Sequence, residues 1–291
     1  MWKRWIKFCN NKQIDIHCNR IEVVLLFLQE LKDEGLGYNA INLARSCLSL
    51  YLDKVEGLSI GNHPLCVRFL KAVSKLRPPM PKYNVVWDPS KVLDVFRNWD
   101  TNDKISLKLL SVKLVCLLML CTGQRVQTIH LIKVENVKVT DEGVLIFIPD
   151  CIKTSAPGRS QPVLELKQFS ESKVCVVRTL REYLNRTRSI RAEKCNSLFI
   201  SFTRPHKAVG KESLARWLKM GLQEAKIDTT IYSAHSFRHS STSSALRGGA
   251  NIDVIFKSAG WSRNSSVFAK FYNRTVTADQ SFGNVVLSNC K

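Results

Sequence analysis

The sequence has 291 residues, of which 45% are hydrophobic and 23% are charged, a balance that indicates a globular protein with a core and excludes a disordered chain. Its 44 lysines and arginines against 24 acidic residues give a formal net charge of +20, which favours a nucleic acid as partner, a merely basic protein being the alternative. The longest apolar run, Leu114–Cys121, is far shorter than the roughly 20 residues of a membrane-spanning helix, so no membrane partner is expected.

Ten cysteines are scattered along the chain without a C-x-x-C pair, which is typical of reduced thiols in an intracellular protein. Two of them, Cys116 and Cys121, lie in the apolar run and are expected to be buried. His17 and Cys18 follow Cys9, but their spacing fits no common zinc site. The first residues lack the apolar core of a signal peptide, so the cytosol or the nucleus is expected, and a DNA substrate favours the nucleus.

The first part of the chain, residues 1–80, is predicted to be helical. Apolar residues recur at helical spacing in three segments, and a fourth near the start is expected to belong to an earlier helix, with further residues expected upstream. These segments are Trp2–Cys9, Ile21–Leu31, Asn39–Val55 and Pro64–Leu76.

A proline-rich stretch, Arg77–Asn84, predicts an extended linker, because three prolines in quick succession cannot continue a helix. Asp88 and Pro89 then offer an N-cap and a first-turn proline for a helix that runs to about Trp99. The segment Ser106–Cys121 is apolar all round, which predicts a central buried helix. We therefore expect a second domain over residues 81–291.

Two β-strands, Gly143–Pro149 and Gln161–Leu166, are predicted as a hairpin with a long loop that contains Lys153. Helical spacing and glycine stop signals predict the remaining elements. These are Cys175–Thr187, Glu212–Ala225, Ser236–Arg247, Ile252–Ala259 and Ser265–Tyr272. The predicted fold class is mainly α with a small antiparallel β-sheet (α+β).

Two arginines are candidates for holding a phosphate. Arg125 is expected to end a buried apolar helix, where a guanidinium is costly unless it has a partner, and Arg238 lies in the first turn of a predicted helix. Each guanidinium can bind two oxygens and keeps its charge, which suits the extra negative charge of a pentacoordinate phosphorane. The indole N–H of Trp261 could donate one more hydrogen bond. A structural ion pair for Arg125 and a packing role for Trp261 are the simpler alternatives.

The remaining candidates could carry out the attack itself. Tyr272 could act as nucleophile, His235 could take the phenol proton, and Lys153 on the hairpin could protonate the leaving 5′ oxygen as general acid. Lys167 and Arg159 lie in or near the same hairpin and are alternatives to Lys153, and Tyr272 could instead be a core aromatic. This chemistry requires no metal or cofactor. It requires no ATP, because a phosphotyrosine keeps the energy of the broken diester.

Four motifs together resemble the signature of the tyrosine recombinase (phage integrase) superfamily. They are Thr122-Gly-Gln-Arg125, His235-x-x-Arg238, Gly260-Trp261 and Tyr272. Lys153-Thr154 resembles the hairpin lysine of that family. The end of the chain is most like the recombinases of DIRS-like retrotransposons, with Crypton-type elements as second choice.

The resemblance implies an organisation and a partner. Residues 1–80 would form a helical core-binding domain and residues 81–291 the catalytic tyrosine recombinase domain, closing as a C-shaped clamp around double-stranded DNA. The enzyme would pass through a 3′-phosphotyrosine intermediate. Thr275–Lys291 would pack on a neighbouring protomer, giving a homotetramer on paired recombination sites.

Some residues depart from the family pattern. Trp261 stands where most members have histidine, and an indole can donate a hydrogen bond but cannot act as an acid or a base. Thr128 stands where an acidic residue is common, and the interval from Trp261 to Tyr272 is slightly long. His239, one helical turn after His235, is assigned no role.

The leading hypothesis is a site-specific recombinase or integrase of a mobile element, acting in the nucleus. One alternative is a catalytically inactive DNA-binding protein derived from such an element. Another is an enzyme that relaxes supercoiled DNA, like type IB topoisomerases, which shares the chemistry but needs no specific DNA site.

Overall fold

The computed structural model describes residues 1–262 and 265–274. The chain divides into two compact units, the first spanning Met1–Met80 and the second beginning at Pro81. Within the described residues, no helix has the length and the apolar character needed to cross a bilayer.

The first unit is helical, with an aromatic and aliphatic core that includes Trp5, Phe27 and Leu28. Its four α-helices are α1 (Trp2–Lys12), α2 (Ile21–Asp33), α3 (Tyr38–Tyr51) and α4 (Pro64–Leu76), and a short 3-10 helix spans Ile60–Asn62.

The prediction for the third helix of this unit was too long. Leu52 already has extended backbone, and Val55 turns back to pair with Leu58. Glu56 and Gly57, both with positive φ, form the turn between them. The predicted ends of α4 are confirmed, since Pro64 begins it and Leu76 ends it, and the Leu65 amide donates a capping hydrogen bond to His63 Nδ1 in its first turn.

The second unit is built around one buried helix, α6, which packs against four later helices and against the sheet. Ser106 caps it by accepting a hydrogen bond from the Leu109 amide. The α-helices of this unit are α5 (Ser90–Asn98), α6 (Leu107–Thr122), α7 (Val126–His130), α8 (Val176–Arg188), α9 (Lys211–Glu224), α10 (Ser236–Arg247) and α11 (Ile252–Ala259). Two 3-10 helices, Val134–Asn136 and Ser172–Val174, join them.

The sheet of the second unit is antiparallel, in the order β1–β2–β3. Its strands are β1 (Val137–Val139), β2 (Gly143–Phe147) and β3 (Val163–Lys167). The predicted hairpin is present as β2 and β3, and β1 was not predicted. Strand β3 begins later than expected because Pro162 has no amide hydrogen to donate to the ladder. The fold class, mainly α with a small antiparallel sheet, is confirmed.

Two further predictions need correction. In place of a helix over Ser265–Tyr272, the structure has a π-helical turn, Phe268–Tyr272, closed by a hydrogen bond from the Asn273 amide to the Phe268 oxygen. Cys116 is buried as expected, but Cys121 is exposed. Cys121 lines an open groove on the surface of the second unit, so the apolar run is not covered all round.

Candidate active site

Helix α10 supplies most of the predicted site residues and is anchored by its own hydroxyl groups. Ser236 accepts a hydrogen bond from the Trp87 indole N–H at 2.8 Å, and Ser240 donates to the Trp87 backbone oxygen. These two bonds hold the first two turns of α10 against the segment that precedes α5. The N-cap residue of α10 is His235, and Arg238 lies in its first turn.

Arg238 is fully buried and only partly satisfied. Its Nη1 donates to the backbone oxygens of Gly123 at 2.5 Å and Ala259 at 2.7 Å, whereas Nε and Nη2 have no partner. Burial, followed by the nearby charge of Arg125, lowers the pKa of Arg238 to about 10, so the guanidinium stays charged at neutral pH. A buried cation with two unpartnered nitrogens is costly unless an anion occupies the site. The geometry therefore fits the predicted phosphate-binding role.

The turn that carries Arg125 is held against α11. Gly123 ends α6 with a left-handed φ of 60°, a conformation that favours glycine. The Gln124 side chain donates to the Ser258 oxygen at 2.6 Å, and Ser258 Oγ donates to the Thr122 oxygen at 2.9 Å. Arg125 does not end the buried helix, as the sequence suggested. It is the half-buried N-cap of the short helix α7.

Tyr272 ends the π-helical turn and points into the same site. Its hydroxyl oxygen lies 2.9 Å from His235 Nε2, within hydrogen-bond distance. The phenol ring stacks on the His239 imidazole, with ring centres 4.0 Å apart and planes 14° apart. Trp261 contacts the same ring edge-on at 4.8 Å. The structure thus brings Tyr272, His235 and Trp261 together, although they are far apart in sequence.

The surroundings of His235 are cationic. Burial, together with the charges of Arg238, Arg125, Lys82 and Lys153, lowers the pKa of His235 to about 4. The imidazole is therefore neutral at physiological pH, and its Nε2 can accept the proton of the Tyr272 hydroxyl. The same cluster of positive charge favours an anion in the site.

The loop between β2 and β3 reaches the site from one side. Lys153 is exposed in this loop, and its charge is one of those that act on His235. Arg159 of the same loop donates to the Gly260 oxygen at 3.1 Å, which ties the loop to the residue before Trp261. Lys167, the other alternative, ends β3 and lines the surface groove. Of these two lysines, Lys153 is therefore the one whose charge acts on His235.

Trp261 has features of both predicted roles, packing and donation of a hydrogen bond to a phosphate. Its ring packs against Phe256 and Phe268 in a small apolar cluster, as a packing residue would. Its Nε1 is buried without a hydrogen-bond partner, which leaves an N–H free to bind a ligand oxygen.

Three residues at this site were not assigned by the sequence. His239 stacks on Tyr272, Ser243 Oγ donates to the Tyr272 backbone oxygen at 2.5 Å, and Lys82 acts electrostatically on His235. The helical spacing of His239 from His235 could have identified it, because residues four apart lie on one face. No local pattern marks Lys82, which lies in the proline-rich linker and donates to Ser233 Oγ at 3.2 Å.

Potential metal ligands do not cluster in the part of the chain that the structure describes: no three His, Cys, Asp or Glu side chains there could hold an ion together. The Cys9, His17 and Cys18 segment is included in that range.

Comparison with known proteins identifies the family. Residues 90–278 match the phage integrase family, which is more than half of the chain. No curated protein sequence matches the chain.

Solved structures share the fold. The Tn1549 transposon integrase in complex with transposon right end DNA has a TM-score of 0.60 at 12% identity, over 98% of this chain and 90% of that chain. The XerH site-specific recombinase in its post-cleavage complex has a TM-score of 0.59 at 14% identity, over 87% and 68%. A lambda integrase dimer bound to a COC′ core site has a TM-score of 0.53 at 12% identity, over 96% and 89%. Because these identities are low, the likeness concerns the fold, and the family match over residues 90–278 carries the assignment: the chain belongs to the phage integrase family.

Proposed function

We propose that this protein is a tyrosine recombinase that cleaves and rejoins DNA through a 3′-phosphotyrosine intermediate, in the service of a mobile element. The observation that carries the proposal is the pairing of Tyr272 with a neutral His235 beside Arg238, whose buried guanidinium has two nitrogens, Nε and Nη2, without a partner. Family membership makes this chemistry the first to test.

The proposed reaction is an in-line displacement at phosphorus. Tyr272 Oη forms a bond to phosphorus, and the bond from phosphorus to the 5′ oxygen breaks. The phenol proton passes to His235 Nε2, and Lys153 gives a proton to the departing 5′ oxygen. Religation by a 5′ hydroxyl reverses each step, so the proposed reaction consumes no ATP and has no step that uses a metal.

The positive groups stabilise the charge that builds up during attack. Arg238 offers Nε and Nη2, Arg125 offers a half-buried guanidinium, and Trp261 offers its indole N–H to the non-bridging oxygens. Donors held in place by a buried scaffold stabilise the transition state without reorganising during the reaction. Arg238 is held in this way by its two backbone acceptors, Gly123 and Ala259.

The partner is proposed to be double-stranded DNA, consistent with the net charge of +20 and with similar recombinases whose structures were solved on DNA. In this proposal residues 1–80 act as the core-binding domain and residues 81–291 as the catalytic domain. Nuclear action, which a DNA substrate favours, and a DIRS-like retrotransposon origin, which rests on the motifs near the end of the sequence, complete the proposal.

The proposed assembly is a homotetramer in which Thr275–Lys291 packs on a neighbouring protomer. That segment lies outside the described residues. A largely apolar groove of about 950 Å³ between α5, α6, β3, α10 and α11 supports the idea. Leu93, Leu117, Leu120 and Val254 are among its lining residues, and such an exposed apolar surface is typical of an interaction site.

Covalent capture on a nicked DNA that carries the element's terminal repeats tests the proposal. After cleavage, the nick lets the short fragment that carries the 5′ hydroxyl diffuse away. Religation then lacks its nucleophile, so the protein stays covalently joined to the DNA. We expect a slow, protease-sensitive band on a denaturing gel with wild type and none with Tyr272→Phe. A gel shift without a covalent band would instead support a DNA-binding protein without activity, and relaxation of any supercoiled plasmid would support the topoisomerase-like alternative.

A further inference from the structure

Helix α10 touches Tyr272 at three successive turns. His235, His239 and Ser243 are spaced four residues apart and therefore share one face of the helix. His235 contacts the hydroxyl, His239 contacts the face of the ring, and Ser243 contacts the backbone of the same tyrosine. One helix face thus meets each part of the proposed nucleophile.

The His239 ring is a buried, uncharged platform for the phenol. It is 3% exposed and lies between Tyr272, stacked at 4.0 Å, and Tyr83, which meets it edge-on at 5.0 Å. Burial, followed by the influence of nearby His235 and Arg238, lowers the pKa of His239 to about 3, so the imidazole stays neutral at physiological pH. Its edge contact with Tyr83 limits the rotation of the imidazole, and its stacked face limits the rotation of the phenol.

Ser243 fixes the backbone on the C-terminal side of the nucleophile. Its Oγ donates to the Tyr272 oxygen at 2.5 Å and accepts from the Arg274 amide at 3.1 Å. These bonds hold the end of the π-helical turn on α10, so the Cα of Tyr272 is positioned independently of its ring.

We propose that His239 and Ser243 are positioning residues that hold Tyr272 in its attacking orientation within its own protomer. This inference rests on the proposed recombinase function, because it assigns how that reaction keeps its nucleophile in place. Neither residue transfers a proton or binds the phosphate. They act by restricting the phenol to the orientation in which His235 Nε2 can take its proton.

Restricting the orientation of Tyr272 raises the effective concentration of its hydroxyl at the phosphorus. An unrestrained tyrosine side chain explores many rotamers. Only a few of these rotamers bring its hydroxyl oxygen in line with the leaving 5′ oxygen. A misplacement of about 1 Å at a reacting group can cost on the order of 100-fold in rate. Stacking and backbone hydrogen bonds remove that freedom before DNA binds.

Fluorine NMR on the free, full-length protein tests the positioning without DNA. The sequence has six tyrosines, so fluorotyrosine labelling gives few signals, and Tyr272→Phe identifies the relevant one. We expect the Tyr272 signal to move toward that of exposed fluorotyrosine in His239→Leu, to move less in His239→Phe, and to broaden in Ser243→Ala. An unchanged signal in both His239→Leu and Ser243→Ala would overturn the inference.

Single-turnover cleavage of the nicked DNA, at saturating protein, tests the consequence. We expect His239→Leu to be slower by on the order of 100-fold and His239→Phe to recover most of that loss, because a planar ring restores the stack. Ser243→Ala is expected to be slower by about tenfold, the equivalent of one hydrogen bond. Ser111→Ala is the matched control, since Ser111 is a buried helical hydroxyl at the far end of α6 that bonds the Leu107 oxygen. DNA affinity should be unchanged in each variant.

The outcomes separate this inference from the proposed function. A wild type that cleaves, with His239→Leu equally fast or with His239→Phe as slow as His239→Leu, would overturn the positioning role. A wild type that binds DNA without covalent capture would overturn the proposed function. In that case the NMR signals by themselves would test whether His239 and Ser243 position Tyr272. If His239→Leu does not fold, the smaller truncation Ser243→Ala still gives both readouts.

Discussion

The guanidinium carbon of Arg238 lies 4.0 Å from the centre of the Trp261 indole ring. This contact places a buried cation against the electron-rich face of an aromatic side chain, an arrangement that stabilises the charge where water cannot reach it. Most members of the family have a histidine at this position, and an imidazole would offer a smaller face. Trp261 therefore combines support of Arg238 with an unpartnered N–H in the site.

We expect the two roles of Trp261 to separate in two variants. Trp261→Phe keeps an aromatic face but loses the N–H, so it should retain most of the stability and lower the single-turnover cleavage rate by on the order of tenfold. Trp261→Ala also opens the cluster with Phe256 and Phe268, which should cost about 3–5 kcal/mol in the free energy of unfolding. Denaturant unfolding and cleavage kinetics check the pair, and equal effects of both variants on cleavage would contradict a role for the ring.

We expect the free protein to bind a small oxyanion at the pair Arg125 and Arg238. Sulfate, at constant ionic strength, should raise the unfolding temperature of wild type, because it occupies the free Nε and Nη2 of Arg238. Arg125→Gln should reduce that increase without removing the backbone bonds of Arg238. Thermal unfolding with and without sulfate measures both, with Arg216→Gln on helix α9 as the control. An equal increase in wild type and Arg125→Gln would indicate a general salt effect.

Lys153 should be needed only when the leaving group needs a proton. We expect Lys153→Ala to slow cleavage by on the order of 100-fold or more, the usual contribution of a general acid. A substrate with sulfur in place of the bridging 5′ oxygen should restore the rate, since a thiolate leaves without protonation. The same substrate should not rescue Arg125→Ala, whose loss concerns charge on the non-bridging oxygens. If the sulfur-containing substrate rescued Lys167→Ala instead of Lys153→Ala, the general acid would be Lys167 of β3.

Local signals made several elements predictable. Helices α10 and α11 have the predicted ends, because capping residues next to these ends mark them in the sequence. Gly248 ends α10, Asn251 caps the Asp253 amide, and Gly260 ends α11 in the left-handed region. The motif residues His235, Arg238, Trp261 and Tyr272, which were selected because their types suit phosphoryl chemistry, come together in the fold.

Elements that are very short were not predictable. Strand β1 has three residues and α7 has five, which is too few for an apolar period to show in the sequence. The π-helical turn could not be separated from an α-helix, because its apolar spacing is the same over a few residues. The contacts of His239 and Lys82 depend on where Tyr272 and His235 come to lie in the fold.

The two site histidines should make the stability of the second unit depend on pH. Both pKa values are lowered in the folded protein, to about 4 for His235 and about 3 for His239, so the folded state binds fewer protons than the unfolded state. Their contribution is fully present above the unfolded value near 6.5. It is lost as the pH falls from there toward the folded values.

Replacing His239 by phenylalanine should remove its share of this pH dependence while keeping a ring against Tyr272. Between about pH 7.5 and about pH 4.5, the decrease in the free energy of unfolding should be smaller in His239→Phe than in wild type, by on the order of 1–3 kcal/mol. Reversible urea unfolding at the two pH values measures it, with the exposed His17→Ala as control. An equal decrease in wild type and His239→Phe would mean that His239 takes up its proton without unfolding. The stacked, neutral platform under Tyr272 would then not persist in solution.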